Sequence, residues 1–134
     1  MRKAVFFNLV LIMISNLVFP QFDLEVEITN LKNNKGLVMM QLFDQNHNLI
    51  TQQKGTITEK KSVILIKNLK ASGYAICFFH DENLNGNLET NRIGKPTEGY
   101  GFSNDAYSTF GPEPFKNWIF KMRGNKKILL KTNY

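Results

Sequence analysis

A single cysteine, Cys77, stands among 134 residues, so the chain cannot close an internal disulfide. It lies inside an apolar run and is expected to be buried and inert. Histidine occurs only at His47 and His80, far apart and without a second ligand at metal spacing. That argues against a zinc or copper centre, and His80 is expected to end its strand or bond the next loop. No Gly-x-Ser-x-Gly elbow, His-Glu-x-x-His pair or phosphate loop is present. No catalytic residue is therefore assigned, and a non-enzymatic protein is expected. A hydrolase built on Asp81, His80 and Ser103 would rest on residue types alone. No segment holds a sustained helical period, and no repeat or low-complexity linker occurs.

Positive charge is in excess, at +6, but it is scattered. The lysines form no stripe, the only clusters being Lys60-Lys61 and Arg123 to Lys127. Such a pattern suits a solvated surface with protected strand edges, not a nucleic-acid partner. Long apolar runs are missing except at the start. There, Arg2 and Lys3 precede the apolar stretch Ala4 to Phe19, which reads as a secretory signal peptide over residues 1–21, cleaved just before Gln21 or Phe22. The stretch falls short of the ~20 residues that span a bilayer, so no membrane span remains after its removal. Losing Arg2 and Lys3 lowers the net charge from +6 to +4. Export without disulfides points to a periplasmic or secreted bacterial protein. Residues 22–134 then form a single domain.

That domain reads as strands and turns. Leu24, Val26 and Ile28 alternate with Asp23, Glu25 and Glu27, which predicts a half-buried strand to Thr29. A turn at Asn33 to Gly36 leads to a strand over Leu37 to Phe43, and the two are expected to form a hairpin. Further strands are predicted over 51–58, 62–66, 74–79, 118–122 and 127–131, the last two joined by a Gly124-Asn125 turn. Irregular structure is expected over Ile93 to Pro114, where glycine and proline recur. Seven or so short strands predict an all-β immunoglobulin-like or transthyretin-like sandwich, with a small barrel as the alternative.

One segment carries definite chemistry. From Asp81, oxygen-bearing side chains fall at positions one, three and five (Asp81, Asn83, Asn85), with Gly86 at six. Asn87 offers a backbone carbonyl at seven and Glu89 a carboxylate at nine. This is how a chain wraps oxygen ligands around Ca2+. Position twelve is Arg92, where a bidentate carboxylate belongs, so the loop is not an EF-hand. Glu98 or Asp105 is expected to supply the last ligand. The competing reading is a loop whose Asn and Asp side chains cap their own backbone without an ion. A second candidate site is aromatic: Tyr100, Phe102 and Tyr107, with Phe110 and Trp118, as a platform for a small ligand or glycan. The same residues would equally serve a core. The partner expected is an envelope protein or a glycan.

The run Gly73 to Asn91, the continuation Gly94 to Asn104 and the segment Phe110 to Phe115 resemble a secreted bacterial family known as domain-of-unknown-function family 2141. The resemblance covers most of the mature domain. It implies a periplasmic or secreted β-sandwich and no established activity. The chain departs from the family pattern at Ala71-Ser72, where a Pro-Gly-Tyr type turn is usual, and at Glu113.

Overall fold

The computed structural model describes residues 17–134. The first sixteen residues of the expected signal peptide lie outside them. The strands are β1 (Gln21–Thr29), β2 (Leu37–Asp44), β3 (Leu49–Gly55), β4 (Ser62–Lys70) and β5 (Ser72–Asp81). They continue as β6 (Tyr100–Phe102), β7 (Tyr107–Ser108), β8 (Gly111–Pro112), β9 (Phe120–Met122) and β10 (Lys126–Lys131). Two sheets result, a three-stranded one in the order β10-β1-β4 and a five-stranded one in the order β3-β2-β5-β6, with β9 also paired to β5. β7 and β8 form a small separate hairpin. The protein is an all-β, sandwich-like fold. No helix among the described residues is long and apolar enough to cross a membrane.

The period of two decides which side chains meet. Leu24, Val26 and Ile28 of β1 are fully buried, as are Val38, Met40 and Leu42 of β2 and Ile76 of β5. Each such side chain contributes roughly 1.5–3 kcal/mol by leaving water. The outer face of the smaller sheet carries the charge. There Lys127 bridges Glu25 and Glu27 at 3.3 and 3.2 Å, and Lys61 reaches Glu27 at 3.5 Å.

All seven predicted strands are present, and β6, β7 and β8 are additions to them, short strands within the stretch Ile93 to Pro114 expected to be irregular. Two predicted pairings are corrected. β1 does not pair with β2; it lies between β4 and a parallel β10, while β2 lies between β3 and β5. β9 likewise pairs β5, not β10. In both cases the turn carries the chain from one sheet to the other. Turn residues specify a reversal, whereas each strand's buried face requires a partner sheet opposite it. Ala71 does the same as a single bent residue between β4 and β5. Cys77 also departs from expectation. It is half-buried on the outer face of the larger sheet, opposite Gln41 and Phe102, not in the core.

β6 and β9 share one edge of β5, facing Cys77–Phe79 and Ser72–Tyr74 respectively. Ser103 fills the gap between them. Its hydroxyl accepts from the Ile76 N–H at 2.9 Å and donates to the Trp118 carbonyl. β5 runs through the middle of this sheet and ends at Asp81, where the Asn-rich loop begins; β6 brings the chain back beside it.

Candidate functional site

The loop is organised by two buried carboxylates. Asp81, 2% exposed, ends β5 and turns its side chain into the loop. Its Oδ1 accepts from the Asn85 N–H at 3.1 Å and its Oδ2 from the Gly86 N–H at 2.8 Å. Gly86 has φ +78°, a conformation that glycine adopts without steric cost. Glu98, 5% exposed, closes the loop from its far end. Its Oε1 accepts from the Glu82 N–H at 3.1 Å and its Oε2 from the Glu89 N–H at 3.2 Å.

Between these clamps the polar side chains turn on one another. Asn83 Oδ1 accepts from the Asn85 N–H and Asn85 Oδ1 from the Asn87 N–H, at 3.2 and 2.9 Å. Asn83 donates its amide to Glu89 Oε1, and Asn85 donates to the same oxygen at 2.8 Å. The structure therefore brings Asp81, Asn83, Asn85, Asn87 and Glu89 into one loop. Of the two residues offered as a last ligand, Glu98 joins them. Asp105 lies elsewhere, accepting from the Lys131 N–H at 3.3 Å. Among the described residues no three His, Cys, Asp or Glu side chains form a metal-holding group. An ion in this loop would thus rest on amide and backbone oxygens as well as carboxylates. The donor set is all oxygen, which fits a hard cation such as Ca2+ and not zinc or copper.

The segment between β1 and β2 buttresses the loop, and this was not foreseen. Asn33 donates to Glu82 Oε2 at 3.1 Å. Gly36 has φ +69°, and a Cβ there would stand 1.9 Å from the Asp81 carbonyl oxygen. His80 is fully buried, with Nε2 2.6 Å from the Lys35 carbonyl and Nδ1 3.1 Å from the Tyr134 hydroxyl. A carbonyl only accepts, so Nε2 carries a proton, and in the neutral ring Nδ1 accepts from the Tyr134 hydroxyl. Tyr134 in turn accepts from the Lys32 N–H at 2.7 Å, and burial pushes its phenol up. No local sequence pattern announces these contacts; each joins residues at least 45 positions apart.

His80, Asp81 and Ser103 form no triad. Ser103 bonds the backbone of Ile76 and Trp118, Asp81 bonds the loop amides, and His80 faces the opposite side of β5 from Asp81. His47 lies away from His80, stacked on Phe115 with ring centroids 3.9 Å apart.

The aromatic residues form a packed chain. Tyr100 is buried, and Phe102 and Tyr107 are half-buried. Tyr100 meets Tyr107 and Phe102 edge-on at 5.5 and 6.0 Å, and Phe102 lies against Trp118 at 4.4 Å. Burial, with the neighbouring Tyr107 phenol, pushes Tyr100 up to about 12. Phe110 stands apart, fully exposed at the tip between β7 and β8.

An all-β, sandwich-like protein with an oxygen-lined loop is the class these features define. The model of a family described as "Uncharacterized protein conserved in bacteria (DUF2141)" matches residues 26–129, and the chain belongs to that family. No curated protein and no solved structure matches it.

Proposed function

We propose that this is a non-enzymatic module of the bacterial envelope, periplasmic or secreted, in which the loop from Asp81 to Glu89 holds Ca2+ and so orders a binding face. The observation that carries the reading is the burial of two carboxylates without a cation. Asp81 and Glu98 are 2% and 5% exposed, and among the described residues neither makes an ion pair. Buried charges are ordinarily paired with an opposite charge or coordinate a metal. Each carboxylate spends two acceptor positions on backbone amides, and a carboxylate has about four.

Asp81, Asn83, Asn85 and Glu89 would hold the ion through side chains and Asn87 through its carbonyl. Glu98 adds negative charge and fixes both ends of the loop. Affinity in the ~10⁻⁴ to 10⁻³ M class suits so few carboxylates. Export is supported by the basic start and apolar stretch of the sequence. It is also supported by Leu17, Val18 and Phe19, which stand exposed ahead of β1 and would burden a soluble surface.

Thermal melts in excess calcium and in chelator test the proposal. A calcium-dependent rise in Tm, absent in Asp81→Ala, is expected. Superimposed melts of the unaltered protein would reduce the loop to a self-capped turn.

A further inference from the structure

The larger sheet has a second apolar face. On a sandwich the outer face meets water, and polar residues are expected there. Here Met39, Phe79, Tyr100 and Phe102 all point outward, in register across β2, β5 and β6. With Leu88 and Gly86 of the Asn-rich loop above them they enclose a cleft of about 300 Å³. That is the small end of the range for small-molecule sites and too little for a protein segment.

The chemistry of the lining narrows the occupant. One residue in five of this chain is charged (21%), yet no charged residue lines the cleft. Its polar side-chain groups are the amides of Gln41 and Gln52, directly opposite each other on β2 and β3, the Cys77 thiol and the Tyr100 phenol, which is hydrogen-bonded to Tyr107. The thiol lies 3.6 Å from Gln41 Oε1 as its donor. The Gln41 NH₂ and the Gln52 amide have no side-chain partner among the described residues. Burial pushes Cys77 up to about 11, so the thiol stays neutral at physiological pH. Entry of an ion would strip its water with no opposite charge to receive it.

We propose that this cleft binds a small, neutral, mainly apolar ligand carrying an amide-like group for Gln41 and Gln52, with Leu88 as its roof. The test is a titration of the ¹⁵N-labelled protein with benzamide and indole, with benzoate as the charged counterpart and glucose as a polar one. It is run once in calcium and once in chelator, so that loss of the ion and loss of the cleft are read separately. Saturable shifts at Gln41, Cys77, Phe79, Leu88 and Phe102 are expected in at least one condition. For ligands this small the dissociation constant is on the order of 1 mM. Benzoate should bind at least about tenfold more weakly, since its charge would be left unpaired. Gln52→Trp, at an exposed position of an edge strand, fills the cleft and should abolish the shifts in a folded protein. Leu88→Ala should weaken binding several-fold. The proposal is overturned if neither neutral ligand gives saturable shifts in either condition. It is equally overturned if glucose or benzoate binds more tightly than benzamide, or if folded Gln52→Trp responds unchanged.

Discussion

Replacing Glu98 by glutamine keeps the side chain's size and removes its charge and one of its acceptors. Glu98 receives two backbone amides, from Glu82 at 3.1 Å and Glu89 at 3.2 Å, in a position only 5% exposed. The amide of glutamine can accept one of them. The other N–H then faces an NH₂ group and stays unpaired. A hydrogen bond to a charged group contributes about 1.5–3 kcal/mol, and a buried donor left unsatisfied costs about 1–3 kcal/mol more. Relief of repulsion from Asp81 and Glu89 offsets part of this, so Glu98→Gln should cost about 3 kcal/mol in chelator. At a urea slope of roughly 1–3 kcal/mol/M the midpoint should fall by about 1–3 M. Glu25→Gln is the matched control. That side chain is 41% exposed and pairs with Lys127 on the surface, so its loss should stay within about 0.5 kcal/mol. Equal midpoints for the two variants would refute the claim that Glu98 clamps the loop. A wider gap in calcium than in chelator is expected if Glu98 also supports an ion.

Three further outcomes follow from the same geometry. Gly36→Ala sets a methyl 1.9 Å from the Asp81 carbonyl at φ +69°, and should destabilise by about 2–4 kcal/mol, read by urea denaturation, with Asp81 and Gly86 amides displaced in NMR spectra. Glu27 is held below its usual 4.5 by hydrogen bonding to Lys127, and Asp44 below 3.8 by the Asn48 and Asn46 amides. Their contribution is present above those values and is lost as pH falls through the lowered folded-state ones. Stability should therefore decline below about pH 4.5, and NMR titration should place both carboxyls under their ordinary values. Cys77, pushed up to about 11, should react with a thiol reagent at pH 8 far more slowly in the native protein than in urea.

The strands were legible because their alternation is strong. Leu24, Val26 and Ile28 repeat with a period of two, and that local signal is enough to place β1. Partner choice was not legible, because the turns at Asn33–Gly36 and Gly124-Asn125 look the same whether the next strand pairs or crosses to the opposite sheet. β6 was hidden among glycines, where three residues, Tyr100 to Phe102, find a place only because β5 offers an edge. In the loop, the spacing of Asp81, Asn83, Asn85 and Gly86 was readable, since it is local. The choice of Glu98 over Asp105 was not, because it depends on β6 returning beside β5. The support from Gly36, Lys35 and Tyr134 is tertiary and leaves no trace in the loop's own sequence. Of the outer cleft only Tyr100 and Phe102 were legible, as aromatic candidates; Met39, Phe79 and the two glutamines were not, because the apolar run of β5 does not say which of its faces is enclosed.

The most direct test of the central claim is a calcium titration of the ¹⁵N-labelled protein followed at the amides of Asn85, Gly86, Asn87 and Glu89. The account predicts saturable shifts confined to the loop and to residues around Glu98, with half-saturation at ~10⁻⁴ to 10⁻³ M, lost in Asp81→Ala. Unmoved amides at calcium well above that range would contradict it, and would leave Asp81 and Glu98 as carboxylates held by backbone amides alone.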